Sequence, residues 1–117
     1  MDNLVLKPWG SYTDFIREQN IVLKELVVNP GSKLSLQTHK LREEHWICIS
    51  GTGKAVLGKS EIPLEVGSRV HVPKNTIHRI INDGKEKLRI AEVQIGICDE
   101  NDIIRHEDDF GRTSTNN

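Results

Sequence analysis

Short runs of apolar residues, many of them alternating with polar residues, dominate the chain, and turn-favouring residues separate them. Runs of about four to eight residues bounded by Gly, Pro, Asn and Asp are typical of β-strands. Their regular spacing favours an antiparallel sandwich or barrel. The only predicted helix is a turn or two around Glu100–Ile104. The predicted strands are Ile21–Val28, Leu34–Gln37, His45–Ser50, Lys54–Leu57, Glu61–Glu65, Arg69–Val72, His78–Asn82 and Leu88–Ile95.

Two of these predicted strands, His45–Ser50 and Leu88–Ile95, carry large residues on both faces. In the first, Ile47 and Ile49 alternate with large residues of the opposite face. A strand that is apolar on both faces is usually buried on both. A second copy of the chain is the simplest cover for the outer face, so we expect a homodimer. The alternative is that residues 1–20 provide this cover.

The length of the chain, 117 residues, leaves room for one domain. We expect this single domain to span residues 1–117. It divides into an N-terminal strap over 1–20, a barrel over 21–98 and a C-terminal tail over 99–117.

Composition and charge exclude several classes of partner. The 16 Lys and Arg residues nearly balance the 17 Asp and Glu residues, and there is no basic block, so nucleic acid is not expected. The apolar runs are too short to span a membrane, and the N-terminus lacks the pattern of a signal peptide. Two cysteines, Cys48 and Cys98, are too few for a disulfide framework. We interpret them as reduced packing residues of a cytoplasmic protein.

Four side chains stand out as candidate metal ligands. Gln37 and His39 lie two residues apart on a predicted strand, so their side chains share one face. Glu44 enters the next predicted strand, and His78 begins another one much later in the chain. Two imidazoles, a carboxylate and an amide oxygen suit a divalent first-row metal, whereas neither cysteine falls in the pattern.

The glycines and prolines that frame these residues make the pattern more specific. The two frames read Gly31-x5-Gln37-x-His39-x4-Glu44-x6-Gly51 and Gly67-x5-Pro73-x4-His78-x3-Asn82. They resemble the paired motifs of the cupins, with Gln37 in place of a histidine and Asn75 in place of a glycine. Asn tolerates a left-handed backbone better than most residues, so the second change is mild.

The sequence around the candidate ligands resembles that of one branch of the cupins. Leu34–His39 and Glu44–Trp46 are similar to the cupin domain of type II mannose-6-phosphate isomerases. This domain is the C-terminal part of bifunctional mannose-1-phosphate guanylyltransferase/mannose-6-phosphate isomerases. Lys7–Tyr12 resembles the opening strap of that family, and Asp102–Arg105 and Glu107–Arg112 resemble its closing segment. The resemblance therefore runs from residue 7 to residue 112.

This resemblance implies an all-β cupin fold, a double-stranded β-helix or jelly-roll-like barrel. It implies one divalent ion on Gln37, His39, Glu44 and His78, with zinc first and Co, Mn, Ni or Fe as alternatives. The activity it implies is an aldose-ketose isomerisation, most simply of mannose 6-phosphate to fructose 6-phosphate through a metal-stabilised enediolate. The chain has no Gly-rich nucleotide loop, so guanylyltransferase activity is not expected.

Three residues are candidates for catalysis. Arg42 lies between two ligands, at the mouth of the predicted barrel, so we favour a role in binding or catalysis over a solvated loop charge. Lys24 alternates with Leu23 and points either into or out of the barrel. Glu92 is either the base that moves the proton or the partner of Lys24 in an ion pair.

Other residues are candidates for contact with a sugar phosphate. The phosphate requires cations, which Arg79 and Arg105 would supply together with Arg112 in the tail. The residues that the family strings and the strand pattern add are Trp9, Ser35 and Gln94, with packing as the alternative for Trp9. His45 and His106 are expected to be structural or surface residues instead of ligands. The same is expected of His71, but a ligand role stays open for it because it stands two residues before Pro73 on a ligand-bearing strand.

Two other functions remain open at this stage. The first is a non-catalytic metal-containing cupin that binds a sugar or sugar phosphate. The second is a metal-dependent oxygenase, because two His and a carboxylate also hold Fe(II). The cations expected at the mouth suit a phosphate better than the apolar substrate of an oxygenase.

Overall fold

A computed structural model describes residues 3–108, and within this range the backbone forms eleven strands and no helix. Consequently none of the described residues belongs to a helix that could cross a membrane. The strands are β1 (Leu4–Lys7), β2 (Gly10–Arg17), β3 (Ile21–Val28), β4 (Leu36–Thr38), β5 (Arg42–Ser50), β6 (Gly53–Leu57), β7 (Ser60–Leu64), β8 (Arg69–Val72), β9 (His78–Ile81), β10 (Leu88–Gly96) and β11 (Ile104–Glu107).

The strands form two antiparallel sheets that enclose one core. One sheet has the order β1-β2-β3-β10-β5-β8, and the other has the order β11-β4-β9-β6-β7. The all-β, cupin-type barrel predicted from the sequence is therefore confirmed. The buried apolar cluster between the sheets consists of Trp9, Leu26, Val28, Trp46, Cys48, Ala55, Leu64, Val70, Val72, Ile80, Leu88 and Ile90.

All eight predicted strands are present, with shifts at their ends. The strand β3 has the predicted bounds, whereas β5 begins at Arg42 instead of His45. The extension follows from sheet pairing, because β10 continues to Gly96, which lies opposite Arg42. Strand ends of this kind depend on the partner strand, which the local sequence does not reveal.

The segments at the two ends of the barrel also join the sheets. The strap over residues 1–20 contains β1 and β2, and β2 pairs with β3. The short helix predicted at Glu100–Ile104 is wrong. A turn closes there through the bond from the Asp102 amide to the Asp99 carbonyl. The chain then extends as β11 along the free edge of β4, where β-branched Ile103 and Ile104 favour a strand.

Inward-facing residues divide the barrel into an apolar end and a polar end. On β3, β10 and β5 the alternate side chains point inwards, and those near one end of the strands are apolar: Val28, Leu88, Ile90 and Cys48. At the other end Val22 also points inwards, but the remaining inward-facing residues are polar or charged: Lys24, Arg42, Glu44, Glu92 and Gln94. Buried charged residues are rare unless they are paired or functional. The polar end is therefore the candidate functional site of the barrel.

Within the part of the chain that the structure describes, nothing covers the outer face of β5. Ile47 is 44% exposed and Ile49 is 38% exposed. Strands β1 and β2 extend the sheet beyond β3, at a distance of two strands from β5. Residues 3–20 therefore do not provide the cover that was the alternative to dimerisation, and a homodimer stays a prediction.

The turn between β5 and β6 generates a prediction about Gly51. Its φ is +87°, and an added Cβ would lie 2.5 Å from the carbonyl oxygen of Lys87. Gly58 also has a positive φ, +60°, but nothing lies within 4 Å of an added Cβ. Both Ala variants pay about 1–2 kcal/mol for a left-handed backbone. We expect Gly51→Ala to lose clearly more unfolding free energy in urea than Gly58→Ala; equal losses would contradict this packing.

Candidate metal centre and cavity

The four candidate ligands come from three strands that meet at the polar end of the barrel. Gln37 lies on β4 opposite His78, the first residue of β9. His39 directly follows β4, and Glu44 points inwards from β5. The metal-binding atoms of His39, Glu44 and His78 all lie within 4.8 Å of one another. These three residues are fully buried, and Gln37 lines the adjoining cavity.

Backbone carbonyls fix both imidazole rings. His39 Nδ1 lies 2.7 Å from the carbonyl oxygen of Asp102, and His78 Nδ1 lies 2.8 Å from that of Thr76. A carbonyl oxygen only accepts hydrogen bonds, so Nδ1 of each ring donates the bond, and in the neutral form of each ring Nε2 carries the lone pair. Metal-binding histidines are held in the same way.

Both Nε2 atoms face the carboxylate of Glu44. His39 Nε2 is 3.2 Å from Glu44 Oε2, and His78 Nε2 is 3.8 Å from Glu44 Oε1. His78 Nε2 is buried and has no hydrogen-bond partner among the residues that the structure describes. An unsatisfied buried nitrogen is costly, and a metal ion bound there would use its lone pair. This atom is the strongest sign that the residues fit a divalent ion.

Protonation and amide geometry agree with this fit. Burial first, and then the positive charge of Arg42, lowers the pKa of His39 to about 3, so its ring is neutral at pH 7. The Gln37 amide nitrogen donates a hydrogen bond of 2.9 Å to the Ser35 hydroxyl. This bond leaves the amide oxygen as the ligand atom. Ser35 is buried and accepts this bond from Gln37; its contact with a substrate stays a prediction.

The guanidinium of Arg42 sits directly on the ligand cluster. Its Nη2 is 2.9 Å from Glu44 Oε2 and 3.2 Å from His39 Nε2, and its Nε donates to the same carboxylate oxygen at 3.0 Å. Arg42 is buried, so it is not a solvated loop charge. It compensates the negative charge of Glu44 inside the barrel.

A second buried carboxylate, Glu92, lies next to Glu44. The indole nitrogen of Trp46 donates to both, at 3.2 Å to Glu44 Oε1 and 3.1 Å to Glu92 Oε1. Gln94 donates to the other Glu92 oxygen at 2.7 Å. Burial and the nearby charge of Glu44 raise the pKa of Glu92, while Lys24 opposes the shift. A raised carboxyl pKa is typical of a residue that moves protons near neutral pH.

Lys24 points into the barrel, which settles the two orientations left open by the sequence. It lies opposite Glu92 in the β3–β10 ladder, but its described ion pairs are with Asp14 and Glu100, each at 3.8 Å. Its ammonium also lies 4.1 Å from the centre of the Tyr12 ring. The structure therefore favours a separate position for Lys24 over a direct pair with Glu92.

Cations surround the mouth of the cavity. Arg79 Nε donates to the Leu34 carbonyl at 3.0 Å, and its Nη1 donates to Glu107 at 2.7 Å. Arg105 lies opposite Gln37 in the β11–β4 ladder. Arg112 lies outside the described residues. Altogether the cavity is lined by five cationic residues and three carboxylates: Lys7, Lys24, Arg42, Arg79, Arg105, Glu44, Glu92 and Glu100. This excess of positive charge suits an anionic ligand.

The structure places three aromatic residues at the site, and the sequence had singled out one of them. Trp9, predicted as pocket lining or packing, does both, since it belongs to the core and lines the cavity. Tyr12 and Trp46 also line the cavity, and both lie within the strings quoted above for the family resemblance. Trp46 lies two residues after Glu44 on β5, so the two side chains point the same way. This alternation is the sequence signal that could have placed Trp46 at the site.

Asp102 is a further residue that the sequence did not identify as part of the site. Its carboxylate accepts hydrogen bonds from the amides of Lys40 and Leu41, at 2.9 Å and 2.8 Å. Its carbonyl holds the ring of His39. One residue of the C-terminal segment thus fixes the loop between the ligands His39 and Glu44. No local pattern reveals a contact across more than sixty residues.

The fold and the ligand cluster together define a cupin. A model of the family described as mannose-6-phosphate isomerase C-terminal matches residues 1–108, and the chain belongs to this family. It is 41% identical over 110 residues to the xanthan biosynthesis protein XanB of Xanthomonas campestris pv. campestris, covering 93% of this chain and 24% of that protein. It is 37% identical over 106 residues to a mannose-1-phosphate guanylyltransferase of Sinorhizobium fredii, covering 90% of this chain and 21% of that protein.

Solved structures support the same fold. The capsular polysaccharide assembling protein CapF of Staphylococcus aureus superposes with a TM-score of 0.78 at 20% identity, over 92% of this chain and 33% of CapF. A cupin 2 conserved barrel domain protein of Salinispora arenicola superposes with a TM-score of 0.69 at 22% identity, over 80% of this chain and 81% of that protein. The chain spans about a quarter of the length of the curated relatives it matches.

The neutral, buried ring of His39 predicts how the stability of the metal-free protein depends on pH. The folded-state pKa of about 3 lies below the usual value of about 6.5, so the unfolded state takes up the proton first as the pH falls. The free energy of unfolding therefore decreases as the pH falls below about 6.5. We expect about 2 kcal/mol of this loss between pH 7 and pH 5.

Urea unfolding in EDTA at both pH values checks this prediction. The variant His39→Gln should show a pH dependence that is flatter by about this amount, because the contribution of Glu92 is common to both proteins. An unchanged pH dependence would mean that His39 is not held neutral in the fold.

Proposed function

We propose that this cupin is a divalent-metal-dependent sugar-phosphate isomerase that interconverts mannose 6-phosphate and fructose 6-phosphate. The observation that carries the proposal is the pair of buried imidazoles whose Nε2 lone pairs converge on Glu44, one of them without a hydrogen-bond partner among the described residues. Membership of the mannose-6-phosphate isomerase C-terminal family supports the substrate class.

The residues that would hold the ion are Gln37, His39, Glu44 and His78. Their nitrogen and oxygen donors suit zinc first, and also Co, Mn, Ni or Fe. When bound, the ion would supply Lewis-acid stabilisation of the negative charge that develops on the C1 and C2 oxygens of the sugar. One carboxylate and three neutral ligands leave the ion with a net positive charge for this task.

Glu92 is the best candidate for the proton transfer between C1 and C2. Its raised pKa, caused by burial and by Glu44, brings it towards the neutral range in which a carboxyl group both takes and returns a proton. The bonds from Trp46 and Gln94 hold both of its oxygens in place. Lys24 lies on the neighbouring strand and tunes Glu92 through its charge.

The cations of the mouth would bind the phosphate. Arg79 Nη2 is buried without a hydrogen-bond partner among the described residues, and a phosphate oxygen would satisfy it. Arg105 and Lys7 line the same cavity. The cavity encloses about 100 Å³, less than the roughly 300–1,000 Å³ of typical small-molecule sites, so part of a bound sugar phosphate would lie in the open mouth.

Metal removal tests the proposal. The purified protein should convert mannose 6-phosphate to fructose 6-phosphate in a coupled assay when Zn, Co or Mn is added, and EDTA should abolish turnover. His78→Ala should lose the interior ion and the activity while remaining folded. The matched control is His106→Ala, which changes a histidine that lies outside the ligand cluster.

The same assay separates the isomerase from a sugar-binding cupin. If sugar phosphate binds in calorimetry but no metal supports turnover, the chain is a binding domain. If His78→Ala retains full metal occupancy and turnover, the ligand assignment is wrong.

Arg42 provides a second test, because it donates to the atoms that an ion would use. A lone pair on His39 Nε2 serves either the guanidinium or the ion, so metal binding would release Arg42 towards the substrate. We expect Arg42→Ala to bind metal at least as tightly as the parent and to lose about 100-fold in kcat, the usual effect of removing a charge-stabilising donor. Unchanged kcat would remove Arg42 from the catalytic residues.

A further inference from the structure

The outer face of the larger sheet carries a second group of metal-binding side chains, separate from the interior cluster. Glu43 and His45 lie two residues apart on β5, and His71 lies directly opposite His45 on β8. Residues that flank the inward-pointing Glu44 on the same strand point outwards. All three side chains are therefore on the reverse side of β5 from the interior site.

The two imidazoles of this outer group converge on one carboxylate oxygen. His71 Nε2 is 2.6 Å from Glu43 Oε1, and His45 Nε2 is 3.2 Å from the same oxygen. The rings are stacked, with centres 4.6 Å apart and planes 13° from parallel. The three donor atoms lie within 4.8 Å of one another.

We propose that Glu43, His45 and His71 bind a second divalent first-row ion, such as Zn²⁺, at the protein surface. Tetrahedral zinc with Zn–N distances of about 2.0–2.1 Å separates neighbouring ligand atoms by roughly 3.4 Å. The separation of 3.2 Å between His45 and Glu43 is already close to this value. The shorter contact to His71 is a hydrogen bond that the ion would replace, and water would complete the coordination.

The surroundings favour an ion at this place. In the β10 ladder, Val93 lies opposite His45 and Ile95 lies opposite Glu43, and these apolar side chains offer no competing charge. Imidazole and carboxylate ligands suit zinc, nickel and copper.

Binding stoichiometry tests this proposal and keeps it separate from the interior site. Metal-free protein is dialysed against buffered ZnCl₂, and bound zinc is counted by mass spectrometry. Parent protein and the control variant His106→Asn should bind two ions per chain. His45→Asn, His71→Asn and His78→Ala should each bind one, and the double variant His71→Asn/His78→Ala should bind none. The outer histidines are about half exposed, so their variants should unfold at nearly the parent temperature in EDTA.

Each result decides one of the two sites. If His45→Asn and His71→Asn bind as much zinc as the parent at the same free zinc concentration, the outer site does not exist. If the parent binds one ion, which His71→Asn loses and His78→Ala retains, the outer site stands and the interior site fails. Half an ion per chain at the outer site, accompanied by zinc-dependent dimers in gel filtration, would overturn a site made by one chain. An affinity loss of at least about tenfold is expected for either single outer variant.

Discussion

The carboxylate of Glu44, buried inside the barrel, is the constraint on which the rest of the site depends. A buried charge is expensive unless positive charge or hydrogen bonds compensate it. Here the Arg42 guanidinium and the Trp46 indole provide that compensation, while the lone pairs of His39 and His78 face the same carboxylate. Lone pairs and a carboxylate directed at one point form a place for a cation. This electrostatic requirement links the fold to the proposed chemistry.

The division of the barrel into an apolar end and a polar end allows the protein to stay folded with these charges buried. The apolar end, with Leu88 and Ile90 fully buried, holds the two sheets together. The polar end then accommodates Glu44 and Glu92 side by side under a rim of cations. Burial at this end does two things at once: it keeps His39 neutral and it raises the pKa of Glu92. Exclusion of water at this end therefore favours both a neutral histidine, as a metal ligand must be, and a proton-transferring carboxyl group.

Much of the fold could be predicted from the sequence, because period-two alternation and turn residues are local signals. The left-handed positions illustrate this: Asn75, expected to tolerate such a backbone, has a φ of 60°. The four candidate ligands were expected from the glycine and proline frames and from the family resemblance, and the structure brings them to one end of the barrel. What the sequence could not reveal depends on distant partners. The strand β11 forms because β4 offers a free edge to pair with. The local sequence does not reveal this partner, and its pattern suggested a helical turn instead. Asp102 acts on His39 from the far end of the chain, and Ser35 turned out to orient Gln37.

The outer group of Glu43, His45 and His71 is another feature that the sequence alone could not reveal. His45 and His71 were expected to be structural or surface residues, and each is indeed on the surface. Their common partner Glu43 becomes visible only when the register of β5 against β8 is known. Strand pairing, and not residue type, decides whether isolated histidines form a group that could bind a metal.

Anomalous X-ray diffraction from crystals grown with one equivalent of zinc, recorded on both sides of the zinc edge, tests the central claim most directly. The account predicts one dominant peak inside the barrel, within bonding distance of His39 Nε2, His78 Nε2, the Glu44 carboxylate and the Gln37 amide oxygen. A barrel interior without an anomalous peak, or a peak bound to a cysteine, would contradict it.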